Sequence, residues 1–186
     1  MCEGSTSAIL QHTKILRRWN LRTKIILYNM RIISIDPGYE RMGVAIIDKV
    51  QGAKETLIFS ECFQTSTKIS HDKRLELIGS EIEKVIKEFE PKALAIENLF
   101  FKTNAKTAMH VAEARGVMLY EAAKNGLDVK EFTPMEIKVA VTGYGKSEKN
   151  QVTEMVKKLI KVDKKIKYDD EFDAIAVGLT YFAIIK

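Results

Sequence analysis

The chain has 186 residues, of which 46% are hydrophobic and 30% charged, a composition that excludes disordered or fibrous proteins and fits one globular domain. Thirty Lys and Arg residues against 25 Asp and Glu residues give a net charge of +5, which favours polyanionic partners such as nucleic acid. Two cysteines, three scattered histidines and the lack of an apolar run of roughly 20 residues favour a soluble, cytoplasmic protein without disulfides, a structural zinc site or a membrane span.

The first 30 residues differ in composition from the rest of the chain. They contain one acid, Glu3, and five basic residues: Lys14, Arg17, Arg18, Arg22 and Lys24. Such a segment is an organelle-targeting peptide, an arm that touches DNA, or sequence upstream of the natural start codon. We expect residues 1–30 to be a basic extension, disordered or upstream of that start, and residues 31–186 to form the folded domain.

Three strands are predicted at the beginning of this domain. Arg31–Asp36 is an almost continuous apolar run that ends at the turn signal Pro37-Gly38. Met42–Ile47 and Thr56–Thr65 are rich in Ile, Val and Phe, and a short segment containing glycine joins them. The pattern predicts an antiparallel meander.

Helices and strands alternate in the rest of the domain. Helical spacing over Ser70–Phe89 is followed by an apolar strand, Ala93–Ile96, and by a second helix, Ala105–Asn125. Four further elements follow: a strand at Val129–Phe132, a short helix opening at Pro134, and helices at Lys146–Ile160 and Asp169–Ile185. This order favours an α/β fold with a mixed sheet.

The predicted helix Ala105–Asn125 has more apolar surface than one buried face needs. One stripe consists of Met109, Ala112, Gly116, Leu119 and Ala123, and the other of Ala108, Val111, Met118 and Ala122. The two stripes together are therefore too wide for a single buried face.

Two of the predicted strands end at an acid. Asp36 ends the first strand and Glu97 ends the fourth, and functional sites of α/β sheets gather at the carboxyl ends of strands. Asp170 and Asp173 lie three residues apart in the last predicted helix, so both can project from one face. Taken singly, Asp36 is a turn former, Glu97 a solvated edge residue, and the two helical acids complement the helix dipole. Together the four acids favour a functional site at this end of the sheet.

Four carboxylates without a neighbouring Cys or His suit Mg²⁺ or Mn²⁺ rather than zinc. Two such ions about 4 Å apart are the usual apparatus of phosphodiester hydrolysis. The pattern therefore predicts a metal-dependent phosphodiesterase site.

The sequence resembles the RuvC family of bacterial Holliday junction resolvases over residues 31–184. The motifs that contain the acids are Ile35-Asp36-Pro37-Gly38 with Gly43-Val44-Ala45, then Ile96-Glu97-Asn98-Leu99-Phe100-Phe101, and Asp170-Glu171-Phe172-Asp173-Ala174-Ile175-Ala176. Between them are Glu113–Val117, Pro134–Lys138, Val141–Gly145 and Lys149–Val152. The glutamate motif and the Gly-x-Gly…Lys-x-Gln segment are the most specific, because the first acidic motif is shared across the RNase H-like superfamily.

The resemblance implies an RNase H-like fold with a five-stranded mixed sheet, three strands antiparallel and two parallel, flanked by helices. It also implies a homodimeric crossover junction endodeoxyribonuclease that makes paired symmetric nicks in four-way junction DNA during recombination and repair. Asp36, Glu97, Asp170 and Asp173 would be the catalytic, metal-binding residues, holding two Mg²⁺ ions per subunit, with Mn²⁺ as a substitute. The implied partner is the RuvA–RuvB branch-migration complex.

Three further residues match DNA-contacting positions of the family. Lys138 and Lys149 match lysines near the scissile phosphate. Phe100 matches an aromatic residue that stacks on junction bases or wedges between them. The alternatives are two solvated surface lysines and a core phenylalanine at a strand end.

Other functions share single features with this chain. A superfamily nuclease that acts on ribosomal RNA precursors would share the opening Asp36-Pro37-Gly38 but not the motif around Glu97. A junction-binding protein without catalysis would not need four acids, and an actin-like kinase needs a second half for which the chain is too short. Gly145-Lys146-Ser147 imitates the end of a P-loop, but its first glycine would fall at Ala140 and no strand immediately precedes it.

Overall fold

The computed structural model describes residues 29–98 and 105–185, without the side chains of residues 105–107. Over these residues the chain forms five strands and five helices. In chain order they are β1 Asn29–Asp36, β2 Arg41–Val50, β3 Thr56–Gln64, α1 His71–Phe89, β4 Ala93–Glu97, α2 Ala105–Lys124, β5 Asp128–Phe132, α3 Pro134–Thr142, α4 Lys149–Leu159 and α5 Asp169–Ile184.

The strands form a single mixed sheet in the order β3-β2-β1-β4-β5. Strand β2 runs antiparallel to both β1 and β3, whereas β4 is parallel to β1 and β5 is parallel to β4. The predicted RNase H-like arrangement of three antiparallel and two parallel strands is therefore confirmed. Ile35 pairs with Ile96, so the acids that follow them lie side by side at one edge.

Helices cover both faces of the sheet, and alternate residues of each strand divide between the two sides. On one side, Ile33 and Ile35 of β1 pack with the apolar faces of α1 and α2. On the other, Ile32 packs with α3, α4 and α5. Because β1 and β4 are buried on both faces, their sequences are almost continuously apolar.

Helix α5 packs directly against β1 and β2. Gly178 makes this approach possible, because a Cβ atom at this position would lie 2.6 Å from Ile47 Cδ1 and 2.7 Å from Ser34 Oγ. The first turn of α5, with its acids, is thereby placed at the edge of the sheet where β1 ends.

The start of α4 differs from its prediction. The sequence suggested a helix from Lys146, but α4 begins at Lys149. Ser147 does not extend the helix, because its hydroxyl contacts that of Thr142 at 2.6 Å and donates to the Tyr144 carbonyl in the preceding turn. The cap is Glu148, whose backbone N–H donates to the side chain of Gln151.

Strand β1 starts at Asn29, two residues before the predicted domain boundary, while residues 1–28 lie outside the described part of the chain. Among the helices of the described residues, none is long and apolar enough to cross a membrane.

Candidate active site

Asp36 and Glu97 are neighbours at the carboxyl ends of two parallel strands. Asp36 is the last residue of β1 and Glu97 the last of β4, and both side chains are half-buried. Strand β1 continues no further because Pro37 and Gly38 turn the chain after Asp36.

Asp170 lies in the first turn of α5 and Asp173 directly after it, and both approach the same edge of the sheet. Gly43 in β2, which pairs with Asp36, sets this approach. A Cβ atom at Gly43 would lie 1.8 Å from the backbone oxygen of Asp170, so only glycine lets α5 come so close. The structure therefore brings together the four acids predicted from the sequence.

The pKa values of three of these carboxyl groups reflect first their burial and then their crowding. Burial raises the pKa of Asp36 well above its ordinary value of 3.8, and the charges of Asp173, Glu97 and Asp170 raise it further. Burial, followed by the charge of Asp173, raises the pKa of Glu97 to about 7. Burial also raises the pKa of Asp173, although Lys149 opposes the shift. Acids so placed are stabilised by a cation among them.

Both predicted lysines lie beside these acids. Lys149 and Lys138 line a pocket of about 280 Å³ together with Glu97 and Asp173. The Lys149 ammonium also contacts Asp169 at 2.6 Å. Burial alone would lower the pKa of Lys149, but its hydrogen bonds with Asp169 and Asp173 outweigh that effect and raise it.

Arg115 of α2 holds the end of β4. Its Nε donates to the backbone oxygen of Glu97 at 3.3 Å, and its NH2 group pairs with Glu131 of β5 at 2.5 Å. The guanidinium thus links the backbone at Glu97 to the neighbouring strand β5. This link fixes the position from which the Glu97 side chain projects.

The sequence did not identify Arg41 as a site residue. Its Nε lies 3.3 Å from Asp170 Oδ2, and its guanidinium lies over the ring of Tyr168. Cys62 of β3 also approaches Asp170, with Sγ 4.0 Å from Oδ2. Burial and the nearby Asp170 raise the pKa of the Cys62 thiol to about 11, which keeps it neutral. The sequence feature that could have identified Arg41 as a site residue is its position directly after the turn that follows Asp36.

Phe100, the predicted base-stacking residue, lies outside the described residues, in the gap between β4 and α2. Its predicted role therefore stays a prediction.

A five-stranded mixed sheet with acids at the ends of β1 and β4 and at the start of the last helix defines the RNase H-like class of fold, used by metal-dependent nucleases. A family model described as Crossover junction endodeoxyribonuclease RuvC matches residues 32–181. The chain belongs to this family.

The chain is similar to named relatives over most of its length. It is 45% identical to the crossover junction endodeoxyribonuclease RuvC of Thermosipho melanesiensis, over 80% of this chain and 94% of that protein. It is 40% identical to the RuvC of Fusobacterium nucleatum subsp. nucleatum, over 82% of this chain and 80% of that protein. Among solved structures, T. thermophilus RuvC in complex with Holliday junction substrate superposes with a TM-score of 0.76 at 30% identity, covering 82% of this chain and 93% of that one.

Proposed function

We propose that this protein is a Holliday junction resolvase, a structure-specific endonuclease that nicks four-way junction DNA by metal-dependent hydrolysis during recombination and repair. The observation that carries the proposal is the convergence of Asp36, Glu97, Asp170 and Asp173 at one sheet edge in a chain of the RuvC family. We further propose that it works in the cytoplasm as a homodimer, with the RuvA–RuvB complex as its partner by family resemblance.

The donor set fits hard divalent cations, because carboxylate oxygens are the ligands that Mg²⁺ prefers, with Mn²⁺ as a substitute. Asp36, Glu97, Asp170 and Asp173 would hold two such ions. When bound, the ions would supply activation of the attacking water and stabilisation of the leaving oxygen. Burial, and after it the neighbouring carboxylates, raise the pKa values of Asp36, Glu97 and Asp173, and a bound cation would offset both effects.

The residues of the chain orient this site and attract the DNA. Arg115 fixes the backbone at Glu97, and Lys149 holds Asp173 by an ion pair of 2.7 Å. Lys138 and Lys149 also place positive charge at the pocket beside the acids, where a backbone phosphate would contact them.

The exposed face of α2 supports the dimer. Met118 and Ala122 of one apolar stripe are fully buried against the sheet. On the other stripe, 64% of Met109 is exposed, and the small residues Ala112 and Gly116 are exposed as well. This exposed face of α2 is apolar, and its small residues allow another helix to pack closely. A two-fold partner would supply that helix.

Cleavage of an immobile four-way junction with labelled arms tests the proposed function. With Mg²⁺, we expect paired nicks at symmetric positions across the branch point and no cutting of a linear duplex with the same sequence. Asp36→Asn is the matched inactive protein, in which the same nicks should be lost. Equal cutting of junction and duplex by the wild type would contradict the proposal.

A substitution at Gly116 tests the dimer. A Cβ atom there would have no neighbour within 4 Å, so Gly116→Arg is compatible with the folded subunit but obstructs a helix packed on this face. We expect a folded monomer in sedimentation experiments, with paired nicking lost. Leu77→Arg is the control, because Leu77 is an exposed apolar residue of a different helix, α1. A Gly116→Arg protein that sediments like the wild-type dimer would exclude this interface.

A further inference from the structure

A second cluster of metal-ligating side chains lies outside the acidic site. Within residues 29–98 and 105–185, His71, His110 and Glu113 each offer a ligand atom, and these atoms all lie within 4.8 Å of one another. His71 is the first residue of α1, whereas His110 and Glu113 lie one turn apart on α2. The sequence argued against a zinc site because its histidines are scattered, but the fold brings two of them together.

We propose that His71, His110 and Glu113 form a binding site for a borderline divalent transition metal such as Zn²⁺, distinct from the site of the four acids. Two imidazoles and one carboxylate are a ligand set that Zn²⁺ accepts, with water in the fourth position. Mg²⁺ would not be selected, because it prefers oxygen ligands.

The distances agree with a shared ion. Glu113 Oε2 lies 2.8 Å from His71 Nε2 and 3.4 Å from His110 Nδ1. Ligand atoms at tetrahedral positions around Zn²⁺ are separated by about 3.3 Å, given bonds of about 2.0–2.1 Å. Small side-chain movements would therefore suffice to bring the three atoms around one ion.

The other nitrogen of His71 has the partner that a ligating histidine needs. His71 Nδ1 lies 2.7 Å from the hydroxyl of Tyr39, in the turn after β1. A metal on Nε2 requires the ring proton on Nδ1, and a hydroxyl oxygen can accept a hydrogen bond from that N–H. The contact would thus fix both the tautomer and the orientation of the ligating ring.

Aromatic contacts hold the ligands in place. The ring of Tyr39 stacks on His110 at a centroid separation of 4.9 Å, and the rings of His71 and His110 are 4.4 Å apart. Tyr39 is itself held by Arg74, whose guanidinium carbon lies 3.6 Å from the ring centroid and whose NH2 group donates to the Tyr39 carbonyl. About a third of each histidine side chain is exposed, so an ion can enter from solvent.

Such an ion would join two separate segments of the chain, the start of α1 and the first half of α2. The contact between His71 and Tyr39 would connect the turn after Asp36 to this link. The metal would thereby clamp α1 to α2 beside the edge of the sheet where the four acids lie.

Titration of the metal-free full chain with Zn²⁺, in excess Mg²⁺ to occupy the acids, tests the site by calorimetry. We expect one tight equivalent whose affinity falls by about tenfold or more in His71→Gln, His110→Gln and Glu113→Gln, because each removes a ligand. Tyr39→Phe keeps the stacked ring but removes the hydroxyl, and should weaken binding by about 10–100-fold. Bound Co²⁺ should give the intense visible absorption of a four-coordinate ion, lost in the same variants.

Two controls identify the site. His12→Gln is the same substitution at the remaining histidine of the chain, and Asp36→Asn weakens the acidic site; both should bind Zn²⁺ like the wild type. Melting temperatures in EDTA check that each variant is folded. Unchanged Zn²⁺ affinity in both folded His71→Gln and His110→Gln would overturn the proposal. So would an equal loss in Asp36→Asn, which would place the ion at the acids.

Discussion

The ammonium of Lys149 lies 2.7 Å from Oδ2 of Asp173, and this ion pair joins the start of α4 to the start of α5. The same ammonium pairs with Asp169, so one lysine bridges two acids of one helix turn. Lys149 thereby lowers the pKa of Asp173, against the burial that raises it, and it fixes one wall of the proposed active site.

Lys149→Gln should therefore slow junction cleavage by about tenfold or more, equivalent to 1.4 kcal/mol of barrier. The variant removes the charge that holds Asp173 and that lies beside the phosphate in the proposed complex. Single-turnover cleavage in Mg²⁺ measures the rate, and a gel shift in Ca²⁺ measures binding. Lys158→Gln, an exposed lysine at the other end of α4, is the matched control. Equal rates for the two variants would show that Lys149 is only a solvated surface residue.

A chain that begins at Met30 should fold and cut junctions as well as the full chain does. It loses one strand pair, Asn29 with Val50, but keeps Met30 opposite Lys49 and packed against the core. Thermal unfolding and cleavage rates measured at several salt concentrations test this expectation. A large loss of cleavage at moderate salt that low salt restores would instead identify the basic extension as a DNA-contacting arm.

The sequence predicted the sheet well because local pattern and burial coincide in it. Strands β1 and β4 are continuous apolar runs, as their burial on both faces requires, and each ends at an acid. Residue spacing also placed Asp170 and Asp173 in one helix turn.

Contacts between distant segments could not be predicted in the same way. Tyr39, His71 and His110 meet only because α1 and α2 pack beside the turn after β1, and no periodic pattern links these three positions. Arg41 was missed for the same reason, because its partner Asp170 lies in the last helix. The start of α4 was misplaced because Ser147, which the prediction put inside the helix, bonds through its hydroxyl to the preceding turn.

Phe100→Ala should leave the dimer and metal binding intact but slow cleavage. If Phe100 stacks on a junction base, its removal costs about 1–3 kcal/mol of interaction with DNA. Cleavage kinetics, sedimentation and thermal unfolding distinguish this role from a packing role. Loss of several kcal/mol of stability, with normal activity per folded molecule, would assign Phe100 to the core instead.

Glu97 should make the metal-free protein less stable as the pH rises. Its pKa is 4.5 for an exposed side chain and about 7 in the folded protein. Between these values the folded state binds more protons than the unfolded state, so the free energy of unfolding falls with increasing pH. The shift in the pKa of Glu97 corresponds to a decrease in the free energy of unfolding on the order of 3 kcal/mol.

Urea unfolding in EDTA at pH 4.5 and 7.5 measures this effect, with Glu97→Gln as the variant that lacks the titrating group. The variant should gain stability relative to the wild type as the pH rises, and Mg²⁺ should reduce its advantage at pH 7.5 because the cation stabilises the wild-type carboxylate. A difference in the free energy of unfolding between Glu97→Gln and the wild type that does not change with pH would contradict the raised pKa of Glu97.

Asp36→Asn, Glu97→Gln and Asp170→Asn should each abolish cleavage and leave junction binding equal or tighter. Each substitution keeps the shape of the side chain but removes a charge that would hold the cations, so metal affinity falls sharply. DNA binding survives because it rests on Lys and Arg contacts with phosphates, and the loss of an acid reduces repulsion. Asp173→Asn should be as damaging if Asp173 ligates an ion directly, and milder if it acts mainly through Lys149.

A nicking assay in Mg²⁺ beside a gel shift in Ca²⁺ or EDTA tests all four variants on one junction. Glu88→Gln is a suitable control, because Glu88 is an exposed acid of α1, a helix that holds none of the four site acids. It should cut at near the wild-type rate, because it changes the net charge by the same amount without removing a proposed ligand. Near wild-type nicking by Asp36→Asn, Glu97→Gln or Asp170→Asn would disprove the two-metal assignment. Loss of junction binding together with loss of folding would instead show that the carboxylate concerned is needed for the structure of the sheet edge.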